Sequence, residues 1–412
     1  MARENIIAGI DIGTTKVCTL VGEVQKDGNL HIIGVGVTPS RGLRKGAIVN
    51  IEETVESIRS SVEKAERISG FKIISAHVGI AGSHITSMNN RGIVTISHPD
   101  RVISSDDVAR AVESARTVSI PGGREVIHVL PRSFIVDGQD GVRNPIGIHG
   151  FRLDVETHIV TGAVTSIQNL TKCVNRVGIN IDDLVLEPLA SSEAVLTEEE
   201  REMGVVIADI GGGTTDIAVF IEGSVWHTSV LPVGGFQLSN DIAVGMRTPL
   251  AIAEEIKAKH GHAVPSTIDP AEMIDINAFG SDTVQPVQRR RLSEIINGRV
   301  EEILDLILVE IKRSGYDGLL AAGLVLTGGT SNLKGIDTLA RDQLQMPVRL
   351  GRPKRIFGLT DTVANPAYAT SVGLLLWGVK YGELEGKTIK RRQNMGYVAR
   401  RMLGWARELL PQ

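Results

Sequence analysis

Cysteine is nearly absent from this chain. Only Cys18 and Cys173 occur in 412 residues, far apart in sequence. They offer no disulfide framework and no thiolate metal spacing, so two small buried hydrophobes in a reducing compartment are expected. An excess of one charge is also missing: 44 basic and 48 acidic residues leave a net charge of −4. No global basic field therefore points to nucleic acid. No run of about 18 apolar residues is present, so no spanning helix is expected. The first residues enter a strand pattern with no basic-then-apolar leader, which argues against secretion. The remainder is ordinary for a soluble globular protein, with 42% hydrophobic and 22% charged residues, and long enough for two or more cores.

Against that plain background one turn occurs twice. Asp11-Ile12-Gly13-Thr14-Thr15-Lys16 follows the apolar run Ile6 to Ile10, and Asp209-Ile210-Gly211-Gly212-Gly213-Thr214-Thr215-Asp216 follows Val205 to Ala208. β-rich residues follow each copy, Val17 to Val21 and Ile217 to Ile221. Each turn thus reads as a hairpin tip between buried strands. Glycines let backbone N–H groups approach an anion, threonine hydroxyls add donors, and an aspartate at the strand end can hold hydrated Mg2+ beside phosphate. One copy alone is equally a plain glycine hairpin. Two facing copies would grip one polyphosphate from both sides. Neither is a Walker loop or a Rossmann fingerprint, because no helix opens after the turn.

The pattern along the chain suggests a duplicated plan. Residues 49–69 carry Ile51, Val55, Ile58, Val62 and Ala65 at helical spacing, and 73–80 read as a strand. Residues 86–163 change texture. Short strand runs at 92–96, 124–130, 132–136 and 151–164 surround a helix at 105–118, which reads as an inserted α/β unit. A helix at 166–177 and the segment Leu186-Glu187-Pro188-Leu189-Ala190-Ser191 follow. The second hairpin restarts the plan, with helices expected at 236–246, 249–259 and 291–314. The apolar run 323–326 enters Thr327-Gly328-Gly329-Thr330, which puts bare backbone against a ligand or simply turns into the next helix, 333–344. Glu254 and Lys257, three apart on a helix, suit a surface ion pair or contacts to ribose hydroxyls equally well. Glu187, before Pro188, could orient a water or be merely solvated.

Five segments in order resemble the actin-type ATPase fold: DIGTTK at Asp11, LEPLAS at Glu187, DIGGGTTD at Asp209, LTGGTSNLKG at Leu326 and NPAYATSVG from Asn365 to Gly373. The resemblance implies an α/β, two-lobed, ribonuclease H-type duplicated fold. It implies ATP and Mg2+ as cofactors, with Asp11 and Asp209 near Mg2+ through water. Phosphates would be held by Gly13, Thr14, Thr15, Lys16, Gly211, Gly212, Gly213, Thr214 and Thr215, and adenosine framed by Glu254, Lys257, Gly328, Gly329 and Thr330. Glu187 would position the attacking water, with ATP hydrolysis at most slow. Actin and DnaK-type chaperones carry a subdomain within the region corresponding to 20–80, where this chain has no long insertion. The later insertion, the loop sequences and the terminal segment resemble the FtsA family of bacterial cell-division proteins.

This resemblance divides the chain into a first-lobe core (1–85 and 164–203, with the connecting helix), an inserted subdomain (86–163), and a second-lobe core (204–230 and 305–382). An outer subdomain (231–304), a polar linker (383–395) and an amphipathic helix (396–412) complete it. The resemblance also implies partners: the C-terminal tail of FtsZ, further copies of the chain in a filament, other divisome membrane proteins, and an anionic membrane surface. The segment 289–304 resembles the FtsA helix that meets FtsZ, and Arg291 and Arg299 are its candidate contacts. The location implied is the cytoplasmic face of the inner membrane at the septum.

The C-terminal segment supports the membrane reading independently. Wound at about 100° per residue, Met395, Val398, Ala399, Met402, Leu403, Trp405, Ala406, Leu409 and Leu410 share an arc of about 160°. Arg400, Arg401 and Arg407 lie on the other side, and Lys387, Lys390, Arg391 and Arg392 precede the helix. This is the pattern of an interfacial anchor; docking on protein is the alternative. Each large apolar side chain contributes at most about 1.5–3 kcal/mol, and each basic residue near anionic lipid roughly 1 kcal/mol. Helix ordering offsets part of that, so one copy binds weakly and an array binds firmly. The competing functions are a small-molecule kinase, which needs a catalytic base that is not evident, a chaperone, which needs a further domain, and a pilus-assembly actin homologue.

Overall fold

The computed structural model describes residues 5–117, 120–277, 279 and 284–386. The expected C-terminal helix, with Val398, Arg400, Arg401, Met402, Leu403, Trp405, Arg407, Leu409 and Leu410, lies outside the described residues.

The first repeat begins with three antiparallel strands, β1 (Ile6–Ile12), β2 (Lys16–Val24) and β3 (Leu30–Pro39). The two-residue strands β4 (Leu43–Arg44) and β5 (Ala47–Ile48) form a small hairpin before α1 (Ile51–Ser69). Asn50 caps α1 by accepting from the Glu53 N–H, and Gly70 ends it in the left-handed conformation. The stripe Val55, Ile58, Val62 and Ala65 is buried, as its spacing requires. Strand β6 (Ser75–Ile80) then joins β1 in parallel.

An inserted four-stranded sheet follows. Its elements are β7 (Ile85–Thr95), α2 (Ser105–Arg116), β8 (Arg124–Val136), β9 (Gln139–Val142) and β10 (Arg152–Ala163), in the order β7-β10-β8-β9. The two strand runs expected on either side of Pro131 are one strand. A register shift opposite Glu156 and Thr157 absorbs the proline, which cannot donate to the ladder. The insert has its own small core, with Phe134, Leu153 and Val155 packed against Val108 and Val112 of α2.

The chain returns through α3 (Val164–Arg176), β11 (Asn180–Leu186), α4 (Glu187–Val195) and α5 (Glu198–Met203). The second repeat then sets out β12 (Val205–Ile210), β13 (Thr215–Ile221) and β14 (Ser224–Leu231). It continues with α6 (Gly235–Gly245), α7 (Leu250–His260), β15 (Met273–Ile276), β16 (Gln285–Gln288) and α8 (Arg289–Ser314). Last come β17 (Gly323–Thr327), α9 (Ile336–Leu344), β18 (Val348–Leu350), β19 (Ile356–Gly358), α10 (Thr360–Val363) and α11 (Ala369–Gly386). Helix α11 thus runs past Glu383, where the polar linker was expected to begin.

The two main sheets read β3-β2-β1-β6-β11 and β14-β13-β12-β17-β18: three antiparallel strands, then two parallel ones, in the same spatial order. The duplication visible in the hairpins therefore extends through both sheets. The first sheet gains one strand that its own repeat does not supply, because β19 pairs with β3 in parallel. Each sheet has its own core, with Ile10, Leu20 and Ile58 in one and Ile217, Ile296 and Leu324 in the other. Helices α4 and α11 cross between them. At the crossing a Cβ on Gly373 would lie 1.8 Å from Ala190 O, so only glycine allows that approach.

Candidate functional site

The β1–β2 and β12–β13 turns meet tip to tip. Each is closed the same way: Gly13 N donates to Lys16 O at 3.0 Å, and Gly211 N to Thr214 O at 2.9 Å. A Cβ on Gly212 would lie 2.3 Å from Thr15 Cγ2, and one on Gly213 would lie 2.5 Å from Thr14 Oγ1. The glycines of one tip thus accommodate the threonines of the other. Behind the tips, at equivalent strand ends, stand Asp11 and Asp209.

These carboxylates are buried, and each takes one hydroxyl from α11. Ser371 Oγ donates to Asp11 Oδ2 at 2.7 Å, and Thr370 Oγ1 to Asp209 Oδ2 at 2.9 Å. Asp216, across the ladder from Asp209, is the third acid. Thr214 Oγ1 donates to its Oδ2 at 2.9 Å, and its buried Oδ1 has no hydrogen-bond partner. Glu187, the first residue of α4, is the fourth.

Burial is the main reason all four acids hold their protons more tightly than usual. Asp11 is raised by burial, with Lys16 and the Ser371 hydroxyl pulling the other way. Asp209 is pushed up to about 6, again mainly by burial. Glu187 is raised well above the carboxylate range by burial and then by Asp216, Asp11 and Asp209. Asp216 is raised by burial and then by Asp209. Such a cluster lacks positive charge. Among the described residues, no three acidic, histidine or cysteine side chains are placed to hold a metal ion. A divalent ion here would therefore take most of its ligands from phosphate and water.

A cavity of about 490 Å3 opens on one side of the tips, lined by Thr15, Gly212, Glu254, Lys257, Gly329 and Thr330 among others. Lys257 Nζ donates to Gly235 O at 3.0 Å, Ser239 Oγ at 2.8 Å and Glu254 Oε2 at 2.7 Å, so the Glu254–Lys257 pair faces a cavity rather than open surface. Thr330 Oγ1 donates to Gly211 O at 2.9 Å and ties this loop to the second tip. Gly328 has φ 85°, and a Cβ there would lie 2.3 Å from Asp209 Oδ1. Lys16 Nζ donates to Ala367 O and lies 3.7 Å from the centroid of the Tyr368 ring. A smaller cavity of about 40 Å3 lies on the other side of the tips. Thr14, His84, Ser166, Glu187 and Thr214 line it, with room for a water or two.

Thr215, expected among the phosphate contacts, sits elsewhere. It is fully buried, and its hydroxyl donates to Val233 O at 2.9 Å, so it fastens the hairpin to the loop before α6. Arg299, expected as a partner contact, is held by Asp241 of α6 and by Glu302. Arg291 is exposed and, among the described residues, pairs only with Glu294, at 3.5 Å. Sequence reasoning assigned no role to Asp216, Thr370 or Ser371. Asp216 stood inside the second repeated turn, and the two hydroxyls inside the segment Asn365 to Gly373.

Two sheets of one plan, joined by crossing helices over a pair of glycine hairpins, define the two-lobed fold of the actin-like ATPases. Solved structures agree. The chain superposes on the PilM–PilN type IV pilus biogenesis complex with TM-score 0.66 at 16% identity, covering 90% of this chain and 98% of that one. It superposes on MreB5 of Spiroplasma citri bound to ADP with TM-score 0.56 at 14% identity, covering 94% and 99%.

Sequence comparison goes further. Residues 206–373 match the family described as cell division protein FtsA, and residues 82–161 match the SHS2 domain inserted in FtsA. The FtsA of Pseudomonas aeruginosa is 48% identical over 91% of this chain and 89% of its own length. That of Escherichia coli K12 is 38% identical over 98% of both, and that of Bacillus subtilis 40% over 94% and 87%. The chain belongs to the FtsA family, and its role is in cell division.

Proposed function

We propose that the chain binds ATP with Mg2+ between its lobes, self-associates, lies on the cytoplasmic face of the inner membrane at the septum, and tethers FtsZ there. The observation carrying the nucleotide reading is the set of three buried aspartates with the half-buried Glu187 behind two interlocked glycine tips. A tip-to-tip cradle offers backbone N–H groups to phosphate. The clustered acids, all raised by burial, and the partnerless Asp216 Oδ1 suit a hydrated cation. Asp11 and Asp209 would face the Mg2+ through water, Gly13, Thr14, Gly212 and Gly213 the phosphates, and Glu254, Lys257 and Gly329 the adenosine. Bound Mg2+ would neutralise phosphate charge. Glu187, its carboxyl raised by burial and beside the small cavity, would orient a water.

The membrane reading rests on the sequence of residues 396–412, since among the described residues no helix is long and apolar enough to cross a membrane. Of the two arginines put forward for FtsZ, the exposed Arg291 is the freer to meet an acidic tail. Calorimetric titration of the whole chain with Mg-ATP tests the site, and absence of saturable binding would remove it. Deletion of residues 396–412 should leave that titration unchanged and abolish sedimentation with anionic vesicles. Continued sedimentation would reject the anchor.

A further inference from the structure

The end of the first lobe away from the hairpin tips presents a loop that the nucleotide site does not use. Its backbone is pinned at successive points. Gly351 N donates to Leu326 O at 2.7 Å, Lys354 N to Ala194 O at 3.0 Å and Leu359 N to Ile32 O at 3.0 Å, while β19 pairs with β3 through Ile356, Phe357 and Gly358. From this fixed frame Arg352, Lys354 and Arg355 are exposed. Lys354 acts electrostatically on Glu200, whose ion pair is with Arg349. Phe357 and Leu359 stand beside them, 46% and 45% exposed. The Phe357 ring stacks on His31, with centroids 5.3 Å apart, so its position is set by the sheet. Three cations next to two exposed apolar side chains, on a rigid edge, suit an anionic lipid surface.

The course of α11 gives this loop its setting. The helix starts at the tips, where Ser371 meets Asp11. By Gly378 it is level with Ile7, since a Cβ there would lie 2.8 Å from Ile7 Cγ2. Ile7 is near the start of β1, which pairs with the end of β2, and the end of β2 pairs with the start of β3, where β19 is attached. From Gly378 to Gly386 the helix advances roughly 12 Å further in the same direction. The chain therefore leaves the body, toward its basic and apolar C-terminal residues, at the end of the lobe that carries the 352–359 loop.

We infer that this loop is a second membrane contact. Arg352, Lys354 and Arg355 meet anionic headgroups, and Phe357 and Leu359 enter the headgroup–acyl boundary once the C-terminal segment has brought the body to the surface. The inference rests on the proposed membrane reading of that segment. A contact confined to the C-terminal segment would limit distance and leave orientation free. A second contact built into the first sheet fixes orientation and points the nucleotide cleft away from the bilayer. Alone the loop is weak; it acts at the high local concentration that the anchor supplies.

The test uses the whole chain with Phe357→Cys carrying a nitroxide and, as control, Val244→Cys in the second lobe, which is 79% exposed. Cys18 and Cys173 are buried and stay unlabelled. On vesicles of phosphatidylglycerol and phosphatidylethanolamine, the label at 357 should become accessible to a lipid-soluble relaxing agent and shielded from an aqueous one, while that at 244 stays aqueous. Combined Arg352→Gln, Lys354→Gln and Arg355→Gln should lower vesicle partitioning roughly a hundredfold at low salt. Sedimentation with the 357 label still aqueous overturns the loop contact and leaves the anchor standing. No sedimentation of the unsubstituted chain overturns both. Shielding at 357 without vesicles makes the loop a contact between copies and overturns the lipid assignment.

Discussion

Replacing Asp209 by asparagine should make the ligand-free protein more stable while removing its response to Mg-ATP. Asp209 is buried and its pKa stands at about 6 against an ordinary 3.8. A carboxyl that binds its proton more tightly when folded lowers stability as pH rises from 3.8 to 6, and the full penalty persists above 6. A proton held roughly a hundredfold more tightly in the folded chain corresponds to about 3 kcal/mol, which for a cooperative unit of 150–250 residues is about 6–12 °C in Tm. Asparagine removes that penalty. It keeps an acceptor for the Thr370 hydroxyl, 2.9 Å from the carboxylate. Melting in chelator at pH 4 and pH 8 should show the variant near wild type at the lower pH and clearly more stable at the higher. With Mg-ATP the wild type should gain stability by linkage and the variant little. An equal or lower Tm for the variant at pH 8, or an undiminished nucleotide response, would refute the reasoning.

Gly213→Ala should weaken nucleotide binding by at least an order of magnitude, because its Cβ would lie 2.5 Å from Thr14 Oγ1 and part the tips; fluorescent-nucleotide titration measures it. His158 lies between Asn89 and Thr228, and burial depresses its pKa from 6.5 to about 3. Its contribution is full above pH 6.5 and is lost as pH falls below it, by about 2 kcal/mol between pH 7 and 5. Denaturant melts of His158→Gln should show a flatter acid limb than wild type. Arg299→Ala should cost about 1 kcal/mol, since it unties α8 from Asp241 of α6, whereas Arg291→Ala should leave stability unchanged and weaken binding of an acidic peptide.

What the sequence made legible was local. The paired turns, the glycines at 212, 213, 328 and 329, the stripe of α1 and the order of elements all follow from short-range pattern, and the structure carries them into two sheets of one plan. What it hid was non-local. Strand β19 is three residues long and exists only through its pairing with β3, more than 300 positions earlier. The split expected at Pro131 disappears because a bulge opposite Glu156 and Thr157 restores the ladder. Thr215 looked like a ligand contact because it follows Thr214, but alternation along β13 turns its hydroxyl to Val233 O. Glu254 and Lys257 were undecided between surface pair and site until the fold placed them on a cavity.

The connecting helices explain how events at the acids would reach the rest of the molecule. Helix α4 begins at Glu187, and α11 begins two residues before Ser371, so both present their positive ends to the cluster. The adjacent hydroxyls of α11 serve different lobes, Ser371 the Asp11 side and Thr370 the Asp209 side. A change of charge or position at either aspartate therefore acts on one turn of one helix. That helix cannot yield locally, because at Gly373 it rests on the backbone of α4 without a side chain between them. Cation binding at the acids would thus be read as a rigid adjustment of α11 against α4, and so of one sheet against the other. The far end of α11 is where the chain departs toward its basic C-terminal residues. A single helix thereby links the acids to the face of the first lobe that the 352–359 loop occupies.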